Sequence, residues 1–143
     1  MNKDRLLTLA RYLPTVKVET FKLSDWQCGV AACAVGHACS IPEFQAEGLT
    51  LCAVTPGSTP RSTLAVAAVP SYRNERGWDA VKEFFDLSYD DAEYLFSRFR
   101  YPGNVTPTDV ADRIMNFTRV KRLYDLHVFR LLHELTKLLR QFS

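Results

Sequence analysis

Residues 26–44 read "WQCGVAACAVGHACSIPEF", three cysteines and one histidine set among Ala and Gly. Ala31, Ala32, Ala34, Gly36 and Ala38 carry almost no side-chain bulk, so neighbouring elements can approach this backbone closely, while free Cys packs as a small hydrophobe. The segment predicts a helix from Gly29 to about Ser40, closed by Pro42. Gly29 and Gly36 would each cost about 1 kcal/mol in an exposed helix interior, so close approach is a physical reason for them. A small-residue central helix, the hub of the core, is the expectation that organises everything else.

Two reactive readings compete with packing. Cys28 stands just ahead of the expected helix, where the macrodipole and free N–H groups lower a thiol pKa. "QCG" opening a small-residue helix resembles papain-like peptidases, which would make the chain a cysteine-dependent hydrolase with Cys28 as nucleophile. Such chemistry needs a histidine base and a group to orient it. His127 and His133 fall in a Leu-rich helical pattern, and His37 lies nine positions along the same segment, about 13 Å away along a helix axis. A metal centre is the other reading, because Cys33 and His37 are four apart. The cysteines at 28, 33, 39 and 52 form no Cys-x-x-Cys pair. The expectation is therefore no metal, no cofactor, Cys33 and Cys39 buried, and a chain more binder than enzyme.

Outward from this segment the elements alternate. Asn2 or Asp4 can cap a first helix with Leu6, Leu7, Ala10 and Leu13 at helical spacing, stopped by Pro14. "VKVETFKLSDW" alternates apolar and polar residues before a turn at Ser24-Asp25. "LTLCAVT" and "STLAVAAVPSY", between residues 49 and 72, are β-favouring runs separated by "PGSTPR", a hairpin with a loose loop. "RNERG" is a polar connector. "WDAVKEFFDL" is helical again, and Ser88 with Asp91 forms a capping box that opens "YDDAEYLFSRF".

The C-terminal segment, residues 107–143, has Thr106 as cap, Pro107 at the first helical position and Asp109 in the first turn. Val110, Ile114, Phe117, Tyr124, Val128, Leu131, Leu135, Leu138 and Phe142 then follow a 3-4 alternation, with Lys121 where a further apolar residue belongs. This is one long amphipathic helix or two broken near Arg119 to Arg122. Its basic residues, Arg119, Lys121, Arg122 and Arg130 foremost, suit a partner-binding face, and the heptad spacing suits a homodimer through residues 110–142. "RFRYPGN" adds a candidate recognition loop with Arg98, Arg100 and Tyr101.

The 143 residues fit one domain, residues 1–143, and 47% hydrophobic residues suffice for a core. Eighteen Lys and Arg against sixteen Asp and Glu leave a net charge of +2, too little for a global field toward nucleic acid or an acidic membrane. No run of apolar residues reaches membrane-spanning length. The N-terminus lacks the long apolar core of a signal peptide, so reduced cysteines in a cytoplasm are expected. The fold class expected is α+β, mainly α-helical: five or six helices around the small-residue helix, with one β-hairpin.

"CGVAACAVGHA" also resembles short uncharacterised proteins of bacteriophages and bacteria carrying Cys-Gly-Thr/Val-x-x-Cys-x-x-Gly-His/Trp-Ala. The shared residues are Phe21, Trp26, Cys28, Gly29, Cys33, Gly36, His37, Gly77, Trp78, Phe84, Phe85, Leu87, Ser88, Ala92, Leu95 and Phe96, within residues 20 to 117. The resemblance implies a phage or mobile-element setting and a mostly helical fold with a small hairpin. With the incomplete catalytic set and the basic amphipathic tail, the expected function is a non-enzymatic accessory protein that acts by binding a protein partner, a host defence or regulatory factor. The hydrolase using Cys28 is the alternative, and a nucleic-acid-binding regulator the third.

Overall fold

A computed structural model describes residues 1–28, 30–54 and 67–141, without the side chains of residues 28, 54, 67, 139 and 141. Among these residues the chain forms six α-helices and two small sheets. Helix α1 (Lys3–Tyr12) begins where Asn2 Oδ1 accepts the Arg5 N–H, 3.1 Å. Its Leu6, Leu9 and Ala10 face inward, and Pro14 lies in the single 3-10 turn that follows. The next stretch holds a 3-10 turn at Val18–Thr20 in place of a full strand, leaving one isolated bridge at Phe21.

The cysteine segment departs from the expected helix. Strands β1 (Gln27–Cys28) and β2 (Ala31–Ala32) pair antiparallel, and only then does a short helix, α2 (Ala34–Ala38), begin. The cause is non-local pairing. Ala32 also bridges Phe21 in parallel, and its carbonyl accepts the Lys22 N–H at 3.0 Å. Backbone groups held from both sides cannot close helical hydrogen bonds, so tertiary structure overrides the propensity of Ala. Cys33 is consequently the N-cap of α2, with Sγ accepting the Gly36 N–H at 3.4 Å. Gly36 permits the close approach inferred from composition: a Cβ there would stand 1.9 Å from the Trp26 carbonyl oxygen.

Pro42 opens α3 (Pro42–Ala46), which leads to β3 (Thr50–Val54). Strand β4 (Ala67–Tyr72) pairs antiparallel with β3 from Thr50↔Ser71 to Val54↔Ala67, as the β-favouring runs predict. The "PGSTPR" connection lies outside the described residues. A tight turn with Arg73 at φ +55° adds β5 (Glu75–Arg76) to the other edge of β4, making three strands where a hairpin was expected.

Helix α4 (Trp78–Phe85) packs on β4 and β5, α5 (Tyr89–Phe96) packs beside α4, and Ser88 Oγ caps α5 by accepting the Asp91 N–H at 3.1 Å. Phe84 sits at the centre of an aromatic cluster, 4.9 Å from Phe44 and 5.0 Å from both Tyr72 and Phe85. With Leu6, Leu9, Leu13, Leu49 and Leu95 these rings form one continuous core. Burial of such side chains is the dominant favourable term in folding. Helix α6 (Pro107–Gln141) then runs across the domain as one unbroken element of 35 residues, settling the choice between one helix and two.

Candidate interaction helix

The start of α6 is built by local chemistry. Thr106 Oγ1 accepts the Asp109 N–H at 3.2 Å, while Asp109 Oδ2 accepts both the Thr106 N–H and its hydroxyl at 2.8 Å. These reciprocal bonds satisfy donors that every helix N-terminus leaves free. The backbone N–H of Thr106, and next its hydroxyl, hold the Asp109 carboxyl below its ordinary pKa.

The first third of the helix is clamped to the domain. Val110, Ala111 and Ile114 are buried, and Phe117 packs against the same core. Arg113 donates to the carbonyls of Tyr94 and Arg100, 2.9 and 2.8 Å, with its guanidinium 3.4 Å from the Tyr101 ring centroid. Lys121, the residue that interrupts the apolar stripe, reaches Asp91 Oδ2 at 2.7 Å and lies over the Phe117 ring. Its amphipathic stem thus fills the seam while its head finds a charge on α5.

Beyond Lys121 the helix leaves its cover. The remaining turns to Gln141 extend about 30 Å at 1.5 Å per residue. Tyr124 is 68% exposed and Leu135 54%, and Leu131, Leu132 and Leu138 are similarly open. At 100° per residue, Tyr124, Val128, Leu131, Leu132, Leu135 and Leu138 share one face. That face continues the one Val110, Ile114 and Phe117 bury in the core. Arg122, Arg130, Lys137 and Arg140 gather on the opposite side, all exposed. Arg119 is exposed too. Leu126 and Phe129 lie off the main face and, with Met1 and Lys3, line a shallow cleft beside the start of α1.

The "RFRYPGN" loop divides differently from its sequence reading. Tyr101 is only 8% exposed, and its hydroxyl donates to the Leu95 carbonyl at 2.6 Å, so it anchors the loop. Burial pushes its pKa upward against the opposing pull of Arg113. Arg98 donates to the Tyr101 carbonyl at 2.9 Å, and Arg100 forms a two-nitrogen contact with Glu93. Phe99, not among the residues expected to bind, is the aromatic that points outward, 93% exposed. It borders a cleft of about 490 Å3 also lined by Trp26, Trp78 and Tyr89. Trp26 and Trp78 meet edge to face at 5.0 Å.

The cysteine segment offers little reactivity where it is described. Burial raises the Cys33 thiol to about 11 and the Cys39 thiol to about 12, far from the depressed values a nucleophile needs. Cys39 Sγ donates weakly to the Thr50 carbonyl, 3.6 Å. His37 Nε2 donates to the Thr20 carbonyl at 2.9 Å, and its ring stacks on Phe21. Cys33 and His37 therefore serve separate local bonds, and among the described residues no cluster of His, Cys, Asp and Glu could hold a metal. The Cys28 side chain lies outside the described residues. No helix among the described residues is long and apolar enough to cross a membrane. Compared with protein-family models, with curated proteins and with solved structures, the chain matches none of them.

Proposed function

We propose that this chain is a non-enzymatic accessory protein of a bacteriophage or mobile element, working in the host cytoplasm by binding protein. The observation that carries the reading is the uncovered apolar face of α6 from Tyr124 to Leu138. An exposed apolar face of this length supports an interaction site. The phage setting is drawn from the Cys-Gly-Val-Ala-Ala-Cys-Ala-Val-Gly-His-Ala motif, and a host defence or regulatory factor suits that setting as partner. Phe99, flanked by Arg98 and Arg100, is a second contact point, since exposed aromatics and arginines concentrate binding energy.

Photo-crosslinking in producing cells tests the reading. A crosslinking amino acid at Leu135 or at Phe99 should yield discrete protein adducts, whereas one at Arg140, on the polar side of α6, should yield fewer. No discrete adduct from either Leu135 or Phe99 would overturn it. For Cys28, thiol labelling across pH should show an ordinary alkaline profile; a strongly depressed pKa would favour the cysteine-dependent hydrolase instead.

A further inference from the structure

We propose that the occupant of the distal α6 face is a second copy of this chain, so that the protein is a homodimer sealed by paired α6 helices. The inference rests on the reading of that face as a contact surface and names its occupant, which leaves Phe99 with Arg98 and Arg100 as the contact for a second protein. Three observations carry it.

The first is continuity. From Val110 onward one heptad frame runs through the buried and the exposed halves of α6, placing Tyr124, Val128, Leu131, Leu135 and Leu138 at its two inner positions. A straight helix with this repeat presents the same kind of seam to an outside helix that it presents to its own core, and β-branched Val followed by Leu suits a two-stranded pair.

The second is where the charges stand. Positions flanking the seam hold Asp125 and Leu132 on one side, His127 and Glu134 on the other, while Arg122, Arg130, Lys137 and Arg140 are turned away. Two such helices can pair in either direction without facing Lys or Arg across the flank. An anionic lipid surface would prefer the reverse, with basic residues bordering the apolar strip and no carboxylate there.

The third is extent. Tyr124, Leu131, Leu132, Leu135 and Leu138 are each more than half exposed along about 21 Å of helix at 1.5 Å per residue, and a copy of the same strip has the length to cover all of it, as stable interfaces of roughly 1,200 Å2 and above require.

The test is the mass of the full chain in solution by light scattering at micromolar concentration, with circular dichroism to verify folding. The wild-type chain should run at twice its 16.3 kDa, and the double substitution Leu131→Glu, Leu135→Glu should weaken association by about 100-fold or more. Lys137→Glu, on the far side, should leave the dimer intact. If the double substitution unfolds the helix, Leu138→Glu near its tip gives the same reading far from the core. A wild-type monomer, or a dimer indifferent to the seam substitutions, overturns the proposal. A monomer that still gives crosslinks at Leu135 to another protein would sink the homodimer alone, leaving the binding reading standing. A monomer that instead floats with vesicles of anionic phospholipid would replace the second copy with a lipid surface.

Discussion

The two halves of α6 share one sequence pattern and meet opposite environments. Up to Phe117 the apolar positions are closed over by the domain, Val110 and Ile114 completely. After Lys121 the same positions open to solvent: Val128 is half-buried, and Tyr124, Leu131, Leu135 and Leu138 are exposed. Helical periodicity therefore specifies which side of a helix is apolar, not what covers it. The largest expected effect separates the halves directly. Ile114→Ala should cost about 3 kcal/mol in chemical denaturation, because it removes three buried carbons and leaves a cavity. Leu135→Ala, measured at concentrations low enough to keep the chain monomeric, should change stability by less than about 0.5 kcal/mol. Equal losses at the two sites would mean that the distal half is covered by its own domain.

What was legible in the sequence follows the range of the interactions involved. Helix starts were readable because their bonds close within three residues: Ser88 to Asp91, Thr106 to Asp109, Asn2 to Arg5. The pairing of β3 and β4 was readable from two β-favouring runs. Ala31 and Ala32 were misread as helix because their fate is set by Phe21, Lys22 and Gln27, partners that a local pattern does not contain. The strand at Glu75–Arg76 hid in a polar connector, since an exposed edge strand needs no apolar alternation. In the candidate site, Lys121 looked like a flaw in the stripe until Asp91 supplied its partner. Tyr101 and Phe99 are two residues apart and equally aromatic, and it is tertiary contact, the Leu95 carbonyl for the Tyr101 hydroxyl and Arg113 on its ring, that tells which of them turns in.

The join between α6 and its loop should show an intermediate effect. Thr106→Ala removes the cap hydroxyl and should cost about 1 kcal/mol, read as a lower denaturation midpoint. It should affect both halves together, because a shortened or frayed start lies ahead of Val110. Asp109 adds a pH dependence with a definite sign. Its carboxyl is held below the usual range in the folded chain, so its contribution is complete above the unfolded value near 3.9 and fades as pH falls through the lower folded value. The stability gap between wild type and Asp109→Asn should accordingly be present at neutral pH and shrink under acid. A gap that widened on acidification would contradict the cap geometry.

The smallest effect belongs to the boundary between the halves. Lys121 and Asp91 are both partly open to solvent, with side-chain exposures of 38% and 26%, and ion pairs of that kind contribute about 0.2 to 1 kcal/mol. Lys121→Met keeps an unbranched stem against Phe117 and removes only the charge. Asp91 would not then be stranded: it sits in the first turn of α5, where the helix dipole favours a carboxylate and its own N–H is held by Ser88. The substitution should therefore shift stability by well under 1 kcal/mol, and high salt should narrow the difference further by screening the wild-type pair. A loss of several kcal/mol would show that this single contact, more than the apolar packing from Val110 to Phe117, fixes the direction in which α6 leaves the domain.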